Sequence, residues 1–213
     1  MEYLTPGEMR ELERKAAGRG MGPEELMENA GKAVAEVIDL RYRKPGSRRV
    51  LVVCGTGNNG GDGFVVARYL KKKGWSVLVL LLGLPSAIKT PEARANWVRV
   101  ESSVVPVEDT KKLLASLKYF DRSDVIVDAI VGTGVSGGLR DPAATAAAAM
   151  NASGAAKVAV DVPSGLDPES GDAKGEVVRA DLTVALHGAK VGLRGRDEYA
   201  GEVVVVSIGI EQD

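Results

Sequence analysis

The stretch "RVLVVCGTGNNGGDGF" (49–64) joins an apolar run to a loop that holds five glycines between Gly55 and Gly63. The unbroken apolar run predicts a strand that is buried on both faces of a parallel sheet. Glycine destabilises helices and strands, so a cluster of glycines indicates that the backbone approaches another group closely. Gly55, Gly57 and Gly60 fit the GxGxxG pattern, which is typical of dinucleotide binding where it joins a strand to a helix.

Strand and helix patterns alternate along the rest of the chain. Apolar runs at 75–83, 123–132 and 156–165 predict further buried strands, and the pattern at 62–73 predicts one of the helices between them. This alternation predicts an α/β fold in which helices cover both faces of a mostly parallel sheet. Because we find no linker and no internal repeat, we expect a single domain over residues 1–213.

Polar segments follow three of the predicted strands. They are GTGNNGGDG (55–63), DAIVGTGVSGG (128–138) and DVPSGLD (161–167). Ligands of such sheets bind beyond the carboxyl ends of the strands, so we expect these segments to converge on one site. An NAD-dependent dehydrogenase would also have an acidic residue at the end of its second strand, where this chain reads LLLGLPS (80–86). The sequence therefore argues against a redox enzyme.

Composition and charge argue against several other classes of protein. The net charge is −1, from 28 basic and 29 acidic residues without a basic block, so nucleic acid is not an expected partner. No apolar run approaches the ~18 residues of a membrane span, and the N-terminus does not resemble a signal peptide, so we expect a cytoplasmic protein. The single cysteine, Cys54, is predicted to be a buried strand residue, and the single histidine argues against a zinc site.

Oxygen-bearing side chains in the three segments suggest a cation site. Asn58 and Asn59 offer amide oxygens, Asp128 a carboxylate and Ser164 a hydroxyl. Oxygen ligands suit a hard cation, and the small number of charges favours a monovalent one. Turn formation explains the two asparagines equally well, because asparagine tolerates left-handed backbone.

Two aspartates are candidates for acid–base chemistry. Asp161 follows an apolar strand, where shielding from water would raise its pKa, although it could equally cap the next turn. Asp62 is expected to begin a helix, whose dipole favours the ionised carboxylate, and so to serve binding and loop geometry. Lys190 is most simply a solvated loop lysine. The segment from Gly132 to Gly138 is either an anion-binding loop or a flexible connection.

Five motifs occur together and in order: LMENAG (26–31), GTGNNGGDG (55–63), DAIVGTG (128–134), DVPSGLDPESG (161–171) and ADLTVALHGAKVGL (180–193). With them, almost the whole chain resembles the NAD(P)H-hydrate epimerase family, also called the YjeF N-terminal domain. The resemblance implies a Rossmann-like three-layer α/β/α domain that forms a homodimer. It also implies interconversion of the R and S forms of hydrated nicotinamide cofactor (NADHX and NADPHX) at C6, in support of a separate NAD(P)H-hydrate dehydratase.

The resemblance also implies roles for individual residues. Substrate contacts are implied at Asn58, Asn59, Gly60, Gly61, Asp62, Gly132, Thr133, Gly134, Val135, Ser136, Gly137, Gly138 and Asp161. Ligands for K⁺ are implied at Asn59, Asp128 and Ser164. Leu186 and Val191 depart from the family pattern, which often has an aromatic residue and a proline there.

We expect Asp161 to act as the catalytic acid and base. The alternative is a non-catalytic dimeric scaffold, because some relatives keep this fold without known epimerase activity. A scaffold need not keep Asn59, Asp128, Asp161 and Ser164 together, and this chain has all four. The sequence therefore favours the enzyme.

Overall fold

A computed structural model describes residues 3–46, 48–134 and 137–210. The elements, in chain order, are β1 (Tyr3–Leu4), α1 (Pro6–Gly18), α2 (Pro23–Tyr42), β2 (Arg49–Cys54), α3 (Asn58–Lys72), β3 (Ser76–Leu82), α4 (Pro91–Val98), β4 (Val104–Val107), α5 (Thr110–Ser116), α6 (Lys118–Asp121), β5 (Val125–Ala129), α7 (Ala143–Ala152), β6 (Ala156–Val160), β7 (Leu182–Leu186), β8 (Ala189–Lys190), α8 (Asp197–Ala200) and β9 (Glu202–Val206).

The central sheet has seven strands in the order β4-β3-β2-β5-β6-β7-β9. Every neighbouring pair is parallel. The chain runs outward from β2 to β3 and β4, and then returns to place β5 on the other side of β2. This reversal is the strand order of a doubly wound, Rossmann-like sheet, so the predicted fold class is confirmed. It also opens a crevice at the carboxyl ends of β2 and β5, where such folds bind ligands.

Alternate strand residues point into two separate apolar layers. Val52 packs in a buried cluster with Phe64 of α3 and residues of α2. Leu51, on the opposite face, packs with Phe120 of α6 and Met150 of α7. Cys54 is fully buried in the first layer, as the sequence predicts. The two layers make the three-layer α/β/α arrangement.

Two features of the fold differ from the pattern in the sequence. Helix α3 begins at Asn58 rather than at the predicted 62, because Gly57 is its N-cap residue and Gly61 N already donates to Gly57 O at 3.1 Å. The first turn of the helix consists of glycines and asparagines, which are typical of loops, so the sequence does not indicate that it is helical. A two-stranded sheet of β1 and β8 was also not predicted, because two-residue strands leave no periodic pattern.

No helix within the described ranges is long and apolar enough to cross a membrane.

Candidate active site

A cleft of about 840 Å³ opens at the crevice between β2 and β5. Its walls come from α1, the start of α2, the glycine-rich turn, and the segments that follow β3 and β5. Asp161 after β6, together with Leu186 and Lys190, closes one end. The predicted convergence of the strand ends on one site is therefore observed.

Most glycines of the turn are required by the packing of the protein on itself. A Cβ atom on Gly55 would lie 2.0 Å from Ile130 O, and one on Gly60 would lie 2.0 Å from Gly55 O. Gly63 abuts Cys54 and Ala129 in the same way. Side chains cannot fit at these separations, so the turn folds tightly against the end of β5.

Gly57 is different, because a Cβ atom there would meet nothing within 4 Å. It lines the cleft and precedes the first turn of α3, whose N–H groups have no partners within the helix. Such a helix N-terminus favours an anion. Among the glycines of the turn, Gly57 is therefore the one with open space beside its Cα atom.

The LMENAG motif of α2 packs against the glycine-rich turn and the first residues of α3. A Cβ atom on Gly61 would lie 2.5 Å from Met27 Cε, and one on Gly31 would lie 2.4 Å from Val65 Cβ. Helices α2 and α3 therefore approach each other closely, and Met27 also lines the cleft. The motif thus positions the turn by packing.

Asp128 and Ser164 form a buried pair beneath the cleft. Ser164 donates to Asp128 from its backbone N at 2.7 Å and from its hydroxyl at 2.6 Å, and Ile130 N donates at 3.2 Å. Burial raises the pKa of Asp128 from 3.8 to about 6, although these hydrogen bonds oppose the shift. All its partners within the described ranges are neutral, so the ionised carboxylate is a buried charge without a counter-charge.

The two asparagines of the turn have different surroundings. Asn58 Oδ1 accepts a hydrogen bond from the Thr90 hydroxyl at 2.7 Å. The Asn59 amide is buried, and its Nδ2 has no hydrogen-bond partner within the described residues. A Cβ atom on Gly132 would lie 3.4 Å from Asn59 Oδ1, so this amide abuts the segment after β5. An unpartnered amide at this depth leaves Asn59 available to a ligand.

Asp161 and Lys190 form an ion pair at one end of the cleft. Lys190 Nζ donates to Asp161 Oδ1 at 2.5 Å, to Leu186 O at 2.8 Å and to Gly188 O at 3.1 Å. The lysine is 1% exposed, so its interpretation as a solvated loop residue is wrong. The contact also means that Asp161 is not the unpaired, merely shielded carboxylate that the sequence suggested.

The backbone of Asp161 is left-handed, with a φ of 72°. Aspartate tolerates this region better than most residues, and functional sites often hold such conformations. Leu186 N and Lys190 Nζ both donate to Oδ1. Within the described ranges no hydrogen bond reaches Oδ2, which leaves that oxygen for a molecule in the cleft.

Asp62 is the carboxylate whose surroundings disfavour its charge. Burial raises its pKa well above the usual range, and the negative charges of Asp161 and Glu13 raise it further against the opposing effect of Lys190. Asp62 lies one turn inside α3 rather than at its start, so the expected stabilisation of the ionised form by the helix dipole does not dominate. The expectation that Asp62 stays ionised at the start of a helix is therefore wrong.

The predicted site residues fall into three groups. Those that line the cleft are Asn58, Asn59, Asp62, Gly132, Thr133, Gly134 and Asp161. Those that lie behind or beside its lining are Gly60, Gly61, Gly137, Gly138, Asp128 and Ser164. Val135 and Ser136 lie outside the described residues. Gly138 packs against the protein itself, since a Cβ atom there would lie 2.1 Å from Lys174 O.

Sequence reasoning missed the contribution of α1. Arg10, Glu13 and Arg14 line the cleft from this helix. Desolvation raises the pKa of Glu13, which interacts with the charges of both Lys190 and Asp161. The one available signal was the capping box of Thr5 and Glu8, which correctly predicts the helix but not the wall it forms.

A doubly wound sheet, a glycine-rich turn at its switch point and a cleft above it define a Rossmann-like class of α/β domain. The chain belongs to the family described as YjeF-related protein N-terminus, whose model matches residues 23–192. The crystal structure of yeast ynu0 (YNL200c) has the same fold, with a TM-score of 0.81 and 23% identity over 97% of this chain and 88% of that one.

Two curated relatives show how the chain compares in length. It is 47% identical to the bifunctional NAD(P)H-hydrate repair enzyme Nnr of Pyrobaculum aerophilum, over 99% of this chain but 42% of that protein. It is 41% identical to the NAD(P)H-hydrate epimerase of Cenarchaeum symbiosum, over 97% of this chain and 95% of that protein. The chain therefore spans less than half of the bifunctional relative and nearly all of the epimerase.

Proposed function

We propose that this chain is an isomerase that interconverts the R and S forms of NADHX and NADPHX at C6 of the hydrated nicotinamide ring. The observation that carries the proposal is the 41% identity to a protein named NAD(P)H-hydrate epimerase, across 95% of its length. A second relative of that name, from Nitrosopumilus maritimus, is 39% identical across 95% of its length. The cleft supports the proposal with ionisable groups at one end and an open glycine turn in its middle.

The reaction needs a group that gives a proton and a group that takes one. The hydrated ring carries a hydroxyl on C6, next to N1. Once this hydroxyl is protonated, the N1 lone pair expels it as water and leaves a ring cation. A water molecule then adds to the opposite face of C6 and loses a proton, which gives the other epimer with no net redox change.

Asp161 and Asp62 both line the cleft, where the exchange needs one group of each kind. The Lys190 ammonium stabilises the charge of Asp161, whose Oδ2 is available to accept a proton from the entering water. Asp62 is the proton donor, because a raised pKa keeps a carboxyl protonated towards neutral pH. In the reverse direction the two groups exchange roles, so Asp161 remains our predicted acid–base residue with Asp62 as its partner.

The donor set of Asn59, Asp128 and Ser164 fits a K⁺ ion. A carboxylate, a hydroxyl and an amide oxygen are hard ligands of the kind that K⁺ prefers, and the hydrogen-bond partners of the buried Asp128 carboxylate are all neutral. Bound K⁺ would supply the positive charge that the buried Asp128 carboxylate lacks. Asn59 and Asp128 would then hold the turn after β2 and the segment after β5 in register.

The expected partners remain proposals with different support. The homodimer rests on the family resemblance of the sequence. A functional link to a dehydratase is supported by the names of the bifunctional repair enzymes that match this chain. Cytoplasmic location rests on composition.

The deciding experiment starts from purified R epimer of NADHX. We expect the protein to produce the S epimer, resolved by chromatography, faster than a protein-free control and without forming NAD⁺. Asp161→Asn is the matched control for a folded but inactive chain. An epimer ratio that drifts at the spontaneous rate would support the scaffold, and formation of NAD⁺ would support a redox enzyme.

A further inference from the structure

The cleft has two chemically distinct ends. Asp161, Leu186 and Lys190 lie at the β6–β7 end, and Asp62 interacts with that charged pair. Leu82, Lys89 and Thr90 line the cleft at the β3 end, on the far side of the glycine turn. A dinucleotide whose reacting ring meets Asp161 and whose diphosphate meets the turn therefore extends its second nucleoside towards β3.

The β3 end of the cleft lacks the acidic residue that normally binds the ribose of adenosine. In doubly wound folds an acidic residue near the end of this strand binds the ribose 2′-hydroxyl, whereas a cation there accommodates a 2′-phosphate. Strand β3 ends at Leu82, and Gly83 and Leu84 follow it. The residues that directly follow β3 therefore offer no carboxylate to bind the hydroxyl, and the carboxylate that lines the cleft at this end comes from Glu92 of α4.

Lys89 supplies a cation at this place. Its backbone N donates to Thr56 O at 2.9 Å, which fixes the residue beside the glycine turn. No ion pair between described residues involves its ammonium, and the residue is exposed where it lines the cleft. Lys190, by contrast, is already committed to Asp161.

Other groups at this end have defined effects. Thr90 is the N-cap of α4, so the positive end of that helix dipole faces the same region. Glu92 in the first turn of α4 is a carboxylate that also lines the cleft. It opposes an anion, so the attraction must come from Lys89 and the helix end.

We propose that Lys89 is a specificity-determining residue, which binds the ribose 2′-phosphate and makes the site favour NADPHX over NADHX. This inference rests on the proposed function for the identity of the substrate. A phosphate monoester is mostly dianionic at neutral pH, so it gains a charge-assisted contact that a 2′-hydroxyl cannot replace.

The test uses two probes that lack the reacting ring, ADP-ribose and its 2′-phosphate, with affinities measured by calorimetry at constant ionic strength. We expect the unmodified chain to bind the phosphorylated probe about tenfold more tightly. Lys89→Met removes the charge and keeps the backbone contact to Thr56, and we expect it to bring the affinity ratio close to one. Glu92→Gln is expected to raise the ratio.

Two control variants separate this contact from general electrostatics. Lys111→Met changes an exposed lysine of α5 outside the cleft, and the ratio should not change. Arg140→Met removes another cation that lines the cleft, and any loss should affect both probes equally. If the affinity ratio of the two probes fell to about one in Arg140→Met but was unchanged in Lys89→Met, the assignment of the 2′-phosphate to Lys89 would be overturned.

Equal or undetectable binding of the two probes by the unmodified chain would also overturn it. The epimerase assay is read separately. Discrimination between the probes without epimerisation would leave the Lys89 subsite standing and reject the proposed function. Epimerisation without discrimination between the probes would support the proposed function and reject the Lys89 subsite.

Discussion

Lys190 Nζ lies 2.5 Å from Asp161 Oδ1, in a pair whose side chains are 1% and 10% exposed. The lysine reaches across from β8, whereas the aspartate follows β6, so the contact joins two separate strand ends. Removing one member of such a pair leaves the other charge buried and without a counter-charge.

We expect Lys190→Met to destabilise the fold by about 3–5 kcal/mol, because it leaves Asp161 without its counter-charge. The double variant Asp161→Asn with Lys190→Met should recover part of this loss. Denaturant unfolding of the four proteins completes a double-mutant cycle, which measures the coupling between the two residues. A coupling near zero would mean that the pair does not stabilise the fold.

Asp161→Asn should lower kcat at least about 10²-fold with little change in KM, because it removes proton transfer and keeps the shape. Asparagine also tolerates the left-handed backbone of this position, but the change leaves the buried Lys190 ammonium without its counter-charge, so we expect a folded variant of reduced stability. The measurement is the initial rate of epimer conversion, with circular dichroism as the folding control. Near-normal turnover would remove Asp161 from the mechanism.

The stability of the chain relative to Asp62→Asn should depend on pH. A carboxyl whose pKa is higher in the folded state binds its proton more tightly there, so its ionisation disfavours folding. As pH rises above the unfolded value of about 3.9, the unmodified chain should lose stability relative to the variant. Urea unfolding at acidic and at mildly alkaline pH measures this difference. A difference that is constant with pH would show that Asp62 has an ordinary pKa.

Potassium should raise the melting temperature of the chain more than tetramethylammonium does at equal ionic strength. An ion that binds only the folded state stabilises it by mass action. Asp128→Asn should abolish the difference between the two salts, because it removes the one full negative charge of the proposed ligand set. Identical melting temperatures in the two salts would argue against the site.

Gly57→Ala and Gly60→Ala form a matched pair within one turn. The Gly60 change forces a Cβ atom to within 2.0 Å of Gly55 O and should cost at least about 1–3 kcal/mol of stability. The Gly57 change meets open space and has a φ of −98°, so its cost should be limited to about 1 kcal/mol, from the poorer N-cap that alanine provides. If ligand phosphates approach this backbone, Gly57→Ala should raise KM. Unfolding midpoints and KM values of both variants provide the check.

The sheet and its rim could be predicted from the sequence because each buried strand leaves a continuous apolar run, as RVLVVC does. The convergence of Asn59 and Asp161 on the cleft could be predicted because the carboxyl ends of parallel strands lie at one edge of the sheet. The partner of Asp161 could not be predicted, because Lys190 lies 29 positions away and its burial depends on the tertiary fold. The raised pKa of Asp62 was missed because it arises from burial and from the charges of Asp161 and Glu13, which only the tertiary fold brings near it.

The pairing of Leu4 with Lys190 has a practical consequence for where this domain begins. The family model starts at residue 23, and a chain trimmed to that boundary would still contain all seven strands of the central sheet. It would lose the short strand beside Lys190, together with Met9, Arg10 and Glu13 of the cleft wall. The start of the family model therefore excludes residues that form part of the cleft wall.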